Sequence, residues 1–348
     1  MNIVIPLSGR SSRFLNYGFQ KPKFLLPLHD GKTMIEGAVD TLGLEGQLIF
    51  IVQTEHCEKF NIDNFLKEKY PTSIIKYLDH YTEGCVQSVL EACGSLINND
   101  FPLIISNCDQ YLEWDPSLFL DVISDSECDG CVLTYYANTN KNSYIRVDNA
   151  GNGIELREKK VISDNSLVGV HYWKKGSYFI ESASDMISNN IRDNNEYYVS
   201  TSYNYLINKG YKIKMCPLTI NDIYHTIGVP ETYYDFLQLK LPIERNSLNK
   251  MTRGWFIGDF EPNVMRTKDY EVGVLHHKEG EVWPAHLHKE ADEINVLIKG
   301  SMVINNISIN SGEIFKIPKG LLTKAKFLED CEIVCVKTVS NTKDKYNY

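Results

Sequence analysis

Residues 3–13 read Ile-Val-Ile-Pro-Leu-Ser-Gly-Arg-Ser-Ser-Arg, an apolar run followed at once by a loop of small and basic residues. In a doubly wound sheet of parallel strands, ligands bind in the loops that follow the carboxyl ends of the strands. Free backbone N–H groups in such a loop can hold phosphate oxygens, and arginines can neutralise their charge. A serine-rich surface turn has the same composition, so motifs elsewhere in the chain must decide between a phosphate loop and a plain turn.

The chain continues with a regular alternation of strand and helix patterns. Short apolar runs alternate with stretches of helical period up to about residue 106. This rhythm predicts an α/β fold built on a doubly wound, mostly parallel sheet. Mixed strand and helix patterns from residue 131 to residue 215 predict a second half attached to this first one. The runs are 3–7, 48–52, 74–78 and 102–106 for strands, and 33–42, 56–70 and 84–97 for helices.

A different pattern begins after residue 240. Residues 241–253 are polar and interrupted by Pro242, which predicts a linker. From 254 to 340, short strand patterns are separated by glycine and asparagine turns, which is typical of a small all-β barrel. We therefore predict a first domain at 1–240, a linker at 241–253, a β domain at 254–340 and a polar tail at 341–348.

The composition restricts the partners and the compartment. The 348 residues carry 36 basic and 45 acidic side chains, a net charge of −9, without a basic tract that could neutralise a nucleic-acid backbone. We expect no nucleic-acid partner and no membrane partner, because no apolar run reaches the length that spans a bilayer. Nine cysteines without a framework spacing, and a start that lacks a signal-peptide pattern, predict the cytoplasm.

Several motifs come after the first loop in a specific order. Residues 21–28 read Lys-Pro-Lys-Phe-Leu-Leu-Pro-Leu, and residues 31–36 read Gly-Lys-Thr-Met-Ile-Glu. The order resembles that of the sugar-phosphate nucleotidyltransferases, or NDP-sugar pyrophosphorylases, and implies a Rossmann-like fold over about residues 1–240. Further motifs of the resemblance lie at 82–90, 105–110, 158–159, 169–172, 196–198 and 228–231.

The resemblance implies a reaction in which a phosphate oxygen of the acceptor attacks the α-phosphorus of a nucleoside triphosphate and pyrophosphate leaves. Such a reaction needs positioned cations more than a side-chain nucleophile. By resemblance, Arg13 stabilises the pyrophosphate, Lys23 bridges the acceptor phosphate and the α-phosphate, and Asp109 holds Mg²⁺. The implied nucleotide-binding residues are Leu7, Ser8, Gly9, Arg10, Ser11, Ser12, Asp79, Gly84 and Gln87, and the implied acceptor-binding residues are Asn107, Tyr144, Glu158, Lys159, Gly169 and Thr201.

Two positions bear on the second Mg²⁺ ligand and on which nucleotide is bound. Many family members carry a second metal-binding aspartate where this chain has Thr226, and Asp222 is the alternative candidate for a second Mg²⁺ ligand. Asp79 lies where family members place a side chain against the base. A carboxylate only accepts hydrogen bonds, which favours CTP or GTP over nucleotides whose bases offer fewer donors. The acceptor is a sugar phosphate or an open-chain polyol phosphate, and the sequence does not decide between them.

The spacing Gly-x5-His-x-His-x4-Glu-x6-Gly between residues 280 and 300 fits the first motif of the cupin family, and residues 312–320 begin the second. Residues 254–340 therefore resemble a single cupin barrel. Strand alternation puts His286 and His288 on one face, and Glu293 can complete a tentative site for a divalent transition metal. Thr323 stands where a fourth ligand is usual. The alternatives are an isomerase or epimerase acting on a related sugar, and a barrel used for sugar binding or oligomerisation.

These observations predict a cytoplasmic, Mg²⁺-dependent nucleotidyltransferase of the EC 2.7.7 type. Its partners are expected to be a nucleoside triphosphate and a phosphorylated sugar or polyol, and its product a nucleotide-activated sugar for a surface polysaccharide such as a capsule. A homodimer or higher homo-oligomer is expected. Two alternatives stand beside this hypothesis: a regulatory protein that senses a nucleotide sugar, and a metal-dependent sugar isomerase in which the cupin barrel is the main catalyst.

Overall fold

The computed structural model describes residues 1–348 and divides them into two units, Met1–Pro242 and Ile243–Tyr348. The strands of the first unit are β1 (Asn2–Pro6), β2 (Gln47–Gln53), β3 (Ile74–Leu78), β4 (Leu103–Ser106), β5 (Gln110–Glu113), β6 (Gly130–Tyr136), β7 (Ser143–Val147), β8 (Gly153–Glu158), β9 (Asn165–Trp173), β10 (Ile213–Pro217) and β11 (Ile223–Thr226). Its helices are α1 (Ser12–Tyr17), α2 (Met34–Asp40), α3 (Thr54–Phe60), α4 (Ile62–Lys69), α5 (Cys85–Ile97), α6 (Ser117–Ser124), α7 (Gly176–Ser188), α8 (Val199–Asn208) and α9 (Pro230–Lys240).

A nine-stranded sheet forms the centre of the first unit. Its main path runs β10-β6-β9-β4-β1-β2-β3, with the β7–β8 hairpin attached to β9. β1 is parallel to β2 and β4, and β3 is parallel to β2. β9 is antiparallel to both β4 and β6. The predicted α/β fold with a mostly parallel sheet is confirmed, with β9 as an antiparallel strand inside it.

The sequence of β1 explains why the sheet is covered on both faces. Val4 belongs to one hydrophobic cluster, Ile3 and Ile5 belong to another, and all three side chains are fully buried. Because successive side chains of a strand point to opposite faces, an unbroken apolar run suits a strand covered on both sides. On α5, Val86 and Val89 lie three residues apart on one helix face and pack into the cluster that contains Val4.

The strand order brings three connecting segments to one edge of the sheet. β4, β1, β2 and β3 are neighbours and run in the same direction, so their carboxyl ends lie together. The segments after Pro6, Leu78 and Ser106 therefore converge there. The antiparallel ribbon of β5 and β11 begins just after Asp109 and extends from this edge.

The second unit is built from antiparallel strands. The strands are β12 (Trp255–Ile257), β13 (Glu271–His277), β14 (His286–Leu287), β15 (Glu293–Lys299), β16 (Ser301–Ile304), β17 (Ile307–Asn310), β18 (Ile314–Ile317), β19 (Ala325–Phe327), β20 (Cys331–Lys337) and β21 (Tyr346–Asn347). Two short 3-10 turns, Leu248–Lys250 and Thr252–Gly254, precede them. One sheet has the order β12-β13-β20-β15-β18, a second has the order β17-β16-β19, and β14 pairs with β21.

The last residues of the chain are part of the second unit, which corrects the expectation of a separate polar tail at 341–348. β21 pairs with β14, with Asn347 opposite His286. The carboxylate of Asp344 is 2% exposed and accepts hydrogen bonds from the backbone N–H groups of residues 289, 290 and 291. In neither unit is any helix both long enough and apolar enough to cross a bilayer.

Candidate functional site

A cavity of about 480 Å³ lies at the sheet edge where β1 and β4 end. Its walls are the loop after β1, the segment before α5 and the residues after β4. The predicted site residues that line it are Leu7, Ser8, Gly9, Arg10, Ser12, Lys23, Gly84, Asn107 and Asp109. It is also lined by Pro6, Phe24, Tyr81, Thr82, Cys85, Ser88, Cys108 and Glu196.

The loop after β1 is held by side chains from neighbouring elements. Gln53, buried at the end of β2, donates from Nε2 to the carbonyl oxygens of Ser8 (3.1 Å) and His80 (3.2 Å). The Ser8 hydroxyl lies 3.1 Å from that of Ser88 on α5. Ser11 has a left-handed backbone (φ 54°), and its hydroxyl accepts a hydrogen bond from the backbone N–H of Lys23 at 3.1 Å. These bonds place the backbone of Lys23 beside the cavity.

Two arginines of the loop have different surroundings. The guanidinium carbon of Arg10 lies 3.8 Å from the centre of the Tyr81 ring, a cation–π contact on the cavity wall. Arg13 does not line this cavity. It lines a smaller pocket that includes Tyr17 and the start of α9. The charge of Arg13 still disfavours the protonated form of Lys23, but this effect is smaller than that of Asp109.

Lys23 and Asp109 form an ion pair on the cavity wall. The distance from Nζ to Oδ2 is 2.5 Å, and the side chains are 23% and 22% exposed. Burial alone would lower the pKa of Lys23, but the Asp109 carboxylate outweighs it and holds the pKa above its ordinary value. Gly228 makes room for the pair, since a Cβ there would lie 2.3 Å from Oδ2 of Asp109. The pair thus joins two residues to which the resemblance assigned the phosphates and the metal.

Two glycines with positive φ allow close approaches around the cavity. Gly84 has φ +139°, and a Cβ there would lie 2.5 Å from the backbone nitrogen of Tyr197. Gly169 has φ +104°, and a Cβ there would lie 2.1 Å from Nδ2 of Asn107. The backbone N–H of Asn107 also donates to the Gly169 carbonyl at 3.0 Å. Gly84 therefore allows the segment before α5 to pack against Tyr197, and Gly169 leaves room for the side chain of Asn107.

Glu158 and Lys159 lie outside the 480 Å³ cavity. The Glu158 carboxylate accepts hydrogen bonds from the hydroxyls of Ser143 and Ser200. Burial raises the pKa of Glu158. Lys159 donates from Nζ to the hydroxyl of Tyr198 at 2.8 Å. Tyr198 lies two residues after Glu196, which lines the cavity, so this polar cluster adjoins the site.

Four of the predicted ligand-binding residues use their polar atoms elsewhere, and none of them lines the cavity. Tyr144 is fully buried, and its hydroxyl bonds to the backbone of Thr139, so the structure does not bring it to the cavity at which the acceptor was expected. The other three are Asp79, Gln87 and Thr201. Asp79 accepts a hydrogen bond from the Thr54 hydroxyl at 2.6 Å, and Thr201 donates to the Tyr198 carbonyl. Gln87 accepts from the backbone N–H of Glu83 and donates to the carboxylate of Glu91.

The ribbon of β5 and β11 keeps Asp222 away from the metal position. Thr226 lies opposite Gln110, the neighbour of Asp109, whereas Ile223 lies opposite Glu113. Asp222 is thus at the far end of the ribbon, about 13 Å along the strand at the usual spacing of roughly 3.3 Å per residue. Its carboxylate accepts from the backbone N–H of Thr219 at 2.7 Å. Asp222 does not line the cavity that contains Asp109, so the structure does not bring these two carboxylates together.

Asp109 fits the expected Mg²⁺. Magnesium in proteins takes hard oxygen ligands, commonly one or two carboxylates, and completes its shell from waters and phosphate oxygens. The ion pair with Lys23 shows that positive charge is already stabilised beside this carboxylate. Glu196 is the second carboxylate that lines the same cavity.

The second unit contains a cavity of about 690 Å³, which His286, His288 and Glu293 line as predicted. Nε2 of His288 lies 3.1 Å from Oε1 of Glu293, and that same oxygen faces the ammonium group of Lys337 at 3.7 Å. Nδ1 of His286 is 2.9 Å from the carbonyl oxygen of Pro284. No group of three or more His, Cys, Asp or Glu side chains in the structure is arranged to hold a metal ion. The three predicted residues line one cavity, but in this arrangement they do not form a three-ligand metal site.

Four residues at or next to the first cavity were given no role from the sequence, although Ser88 and Glu196 lie within the motifs at 82–90 and 196–198. Gln53 and Ser88 are polar residues at buried positions of an apolar strand and an apolar helix face, which is a usable signal. Tyr81 and Glu196 lie on loops, where no periodicity marks them.

No protein-family model matches the chain, and a search of curated proteins finds no match either. Among solved structures, the chain is similar to the nucleoside-diphosphate-sugar pyrophosphorylase from Vibrio cholerae RC9, with a TM-score of 0.59 and 24% identity over 68% of this chain and 99% of that one. It is similar to a UDP-glucose pyrophosphorylase complexed with UDP-glucose, with a TM-score of 0.55 and 18% identity over 68% and 97% of the two chains. It is also similar to the inositol-1-phosphate CTP transferase from T. maritima, with a TM-score of 0.54 and 12% identity over 70% and 98%. These similarities establish the fold.

Proposed function

We propose that the first unit transfers a nucleotidyl group from a nucleoside triphosphate to a phosphorylated sugar or polyol and releases pyrophosphate. The observation that carries this proposal is the Lys23–Asp109 ion pair on the wall of a cavity closed by the loop after β1. The similarity in fold to two pyrophosphorylases and a CTP transferase supports it.

In the proposed reaction, the triphosphate lies along residues 7–12, since Ser8, Gly9, Arg10 and Ser12 line the cavity. Backbone N–H groups of such a loop can hold phosphate oxygens. An oxygen of the acceptor phosphate forms the new bond to the α-phosphorus. The bond from that phosphorus to the bridging oxygen breaks, and its electron pair leaves with the pyrophosphate. Lys23 neutralises the charge that gathers around the α-phosphorus, so its ammonium acts on the transition state. Arg10 is nearer to the pyrophosphate than Arg13 in this arrangement, because Arg10 lines the cavity.

Asp109 would hold Mg²⁺ in this proposal, and the bound metal would supply positive charge to the phosphates. Asn107 lines the cavity beside Asp109 and is proposed to bind the acceptor, with Gly169 setting its position. Glu158 and Lys159 are proposed to contact the far end of the acceptor, since their cluster adjoins the cavity through Tyr198.

The nucleotide, the acceptor and the oligomeric state stay predictions. The preference for CTP or GTP depended on Asp79, whose carboxylate bonds to Thr54 outside the cavity. We propose that the product is a nucleotide-activated sugar or polyol for a surface polysaccharide, that the reaction takes place in the cytoplasm where nucleoside triphosphates are made, and that the chain forms a homo-oligomer.

The test is pyrophosphate release by the full chain with Mg²⁺, using CTP, GTP, UTP, dTTP and ATP against a panel of sugar and polyol phosphates. Release with one nucleotide and one acceptor, abolished by Asp109→Ala, is the expected result. No release from any combination, together with retained nucleotide binding, would favour the alternative of a protein that senses a nucleotide sugar.

A further inference from the structure

The cavity of the second unit contains cations that lack an acidic partner. Each of the two carboxylates that line it already has a partner. Glu281 lies 3.1 Å from Nδ1 of His277, and Glu293 lies between His288 and Lys337. Arg253 and Lys345 also line the cavity, and neither has a carboxylate within 4.0 Å. Positive charge therefore exceeds negative charge among its lining side chains.

The folded end of the chain holds Lys345 at this cavity. Asp344, the preceding residue, is anchored by three backbone N–H groups, and β21 begins at Tyr346, the following residue. The ammonium group of Lys345 lies 5.0 Å from the centre of the Trp283 ring. Burial, and then the nearby charge of Lys337, lower the pKa of Lys345, and the opposing effect of the Glu293 carboxylate does not reverse this shift. A negatively charged ligand would relieve this repulsion.

A second, independent observation lies deeper in the same cavity. Asn295 is 4% exposed and lines the cavity, and its side-chain nitrogen has no hydrogen-bond partner. A buried amide N–H without a partner costs about 1–3 kcal/mol, so the position favours a ligand with an oxygen acceptor. Trp255, Trp283 and Phe327 also line the cavity, so part of its wall is apolar.

We propose that this cavity binds a small phosphorylated and hydroxylated molecule of the sugar phosphate class without a metal ion. The phosphate lies between Arg253 and Lys345, and an oxygen of the body accepts the hydrogen bond from Asn295. A cavity of about 690 Å³ is within the size range of small-molecule sites. In this proposal, Arg253 and Lys345 supply the positive charge, and a metal ion held by His286, His288 and Glu293 is not needed. This site does not depend on nucleotidyl transfer in the first unit.

The test is a titration of the EDTA-treated full chain, followed by the fluorescence of the tryptophans that line the cavity. The probes are glucose 1-phosphate, glycerol 3-phosphate and inorganic phosphate, with glucose as the uncharged comparison. We expect saturation by a phosphorylated probe below about 10 mM and none by glucose. Lys345→Gln and Arg253→Gln should each weaken binding about tenfold or more, because each removes a charge-assisted hydrogen bond.

Lys343→Gln is the matched control, since Lys343 lies in the same terminal segment, is exposed and does not line the cavity. It should bind the probe as the unaltered chain does. Lys23→Ala should also bind normally, because it alters only the first cavity. The inference is wrong if no phosphorylated probe saturates, if Lys345→Gln and Lys343→Gln bind equally, if Lys23→Ala abolishes binding, or if binding appears only after a divalent metal is added. Lys345→Gln breaks no ion pair, so its thermal unfolding should match that of Lys343→Gln.

Discussion

Replacing Asp109 by asparagine removes one negative charge and keeps the size of the side chain. At 2.5 Å, two unit charges attract each other by roughly 6–7 kcal/mol at an effective dielectric constant of about 20, before any cost of desolvation. Because Lys23 and Asp109 are each more than one-fifth exposed, water replaces most of this attraction when the pair is broken. We expect the free energy of unfolding to fall by about 1–2 kcal/mol, which corresponds to about 2–8 °C in Tm for a unit of this size.

The effect of Asp109→Asn on catalysis should be larger than its effect on stability. If the carboxylate holds Mg²⁺ on the phosphates, its loss should lower kcat about 10³-fold, or about 4 kcal/mol in the activation free energy. The assay is pyrophosphate release at saturating nucleotide and Mg²⁺, with Asp40→Asn as the control because it breaks the exposed Lys32–Asp40 pair. A kcat within about tenfold of the unaltered chain, with the same Mg²⁺ dependence, would refute the assigned role of Asp109.

Four further substitutions test separate parts of the site. Lys23→Ala should lower kcat about 10²–10³-fold, and an effect confined to the KM of the nucleotide would mean that Lys23 only binds the ground state. Gly84→Ala should reduce the free energy of unfolding in urea by about 1–3 kcal/mol, since its Cβ would meet the Tyr197 backbone at 2.5 Å, and an unchanged urea midpoint would contradict the close approach. Glu158→Gln should raise Tm at pH 7. Burial raises the pKa of Glu158. The contribution of this carboxyl group to the free energy of unfolding is therefore full below its pKa in the unfolded chain and is lost as pH rises through its pKa in the folded chain. If the variant showed the same dependence of Tm on pH as the unaltered chain, this cause would be contradicted. Asp79→Asn should leave the ratio of kcat/KM between nucleotides within about twofold, because Asp79 bonds to Thr54, and a change of about tenfold would place its side chain at the base after all.

The parts of the site that depend directly on the backbone could be predicted from the sequence. An apolar run such as Ile3–Ile5 requires a strand covered on both faces, and parallel neighbours bring their carboxyl ends together. The loop after β1 and the segment after β4 therefore had to meet, which places Asn107 and Asp109 beside residues 7–12.

The direction of a side chain could not be predicted in the same way. Asp79 also comes after a parallel strand of this edge, but its carboxylate is directed away from the cavity by the hydroxyl of Thr54, which comes from another part of the chain. Asp222 was expected near Asp109 as a replacement for the aspartate that many family members have at the position of Thr226, whereas the register of β11 against β5 decides its position. Such pairings depend on partners that no local pattern marks.

The end of the chain shows how such a partner can create structure. Residues 341–348 are too short and too polar to show a period, and β21 exists because it pairs with β14. The same pairing buries Asp344 against three backbone N–H groups, and Nδ1 of His288 lies 3.7 Å from its carboxylate. His288 therefore faces Asp344 on one side and Glu293 on the other, so a histidine in a metal-binding spacing has both ring nitrogens directed at carboxylates. The spacing of the motif specifies the position of the imidazole, and the terminal segment decides what that imidazole can bind.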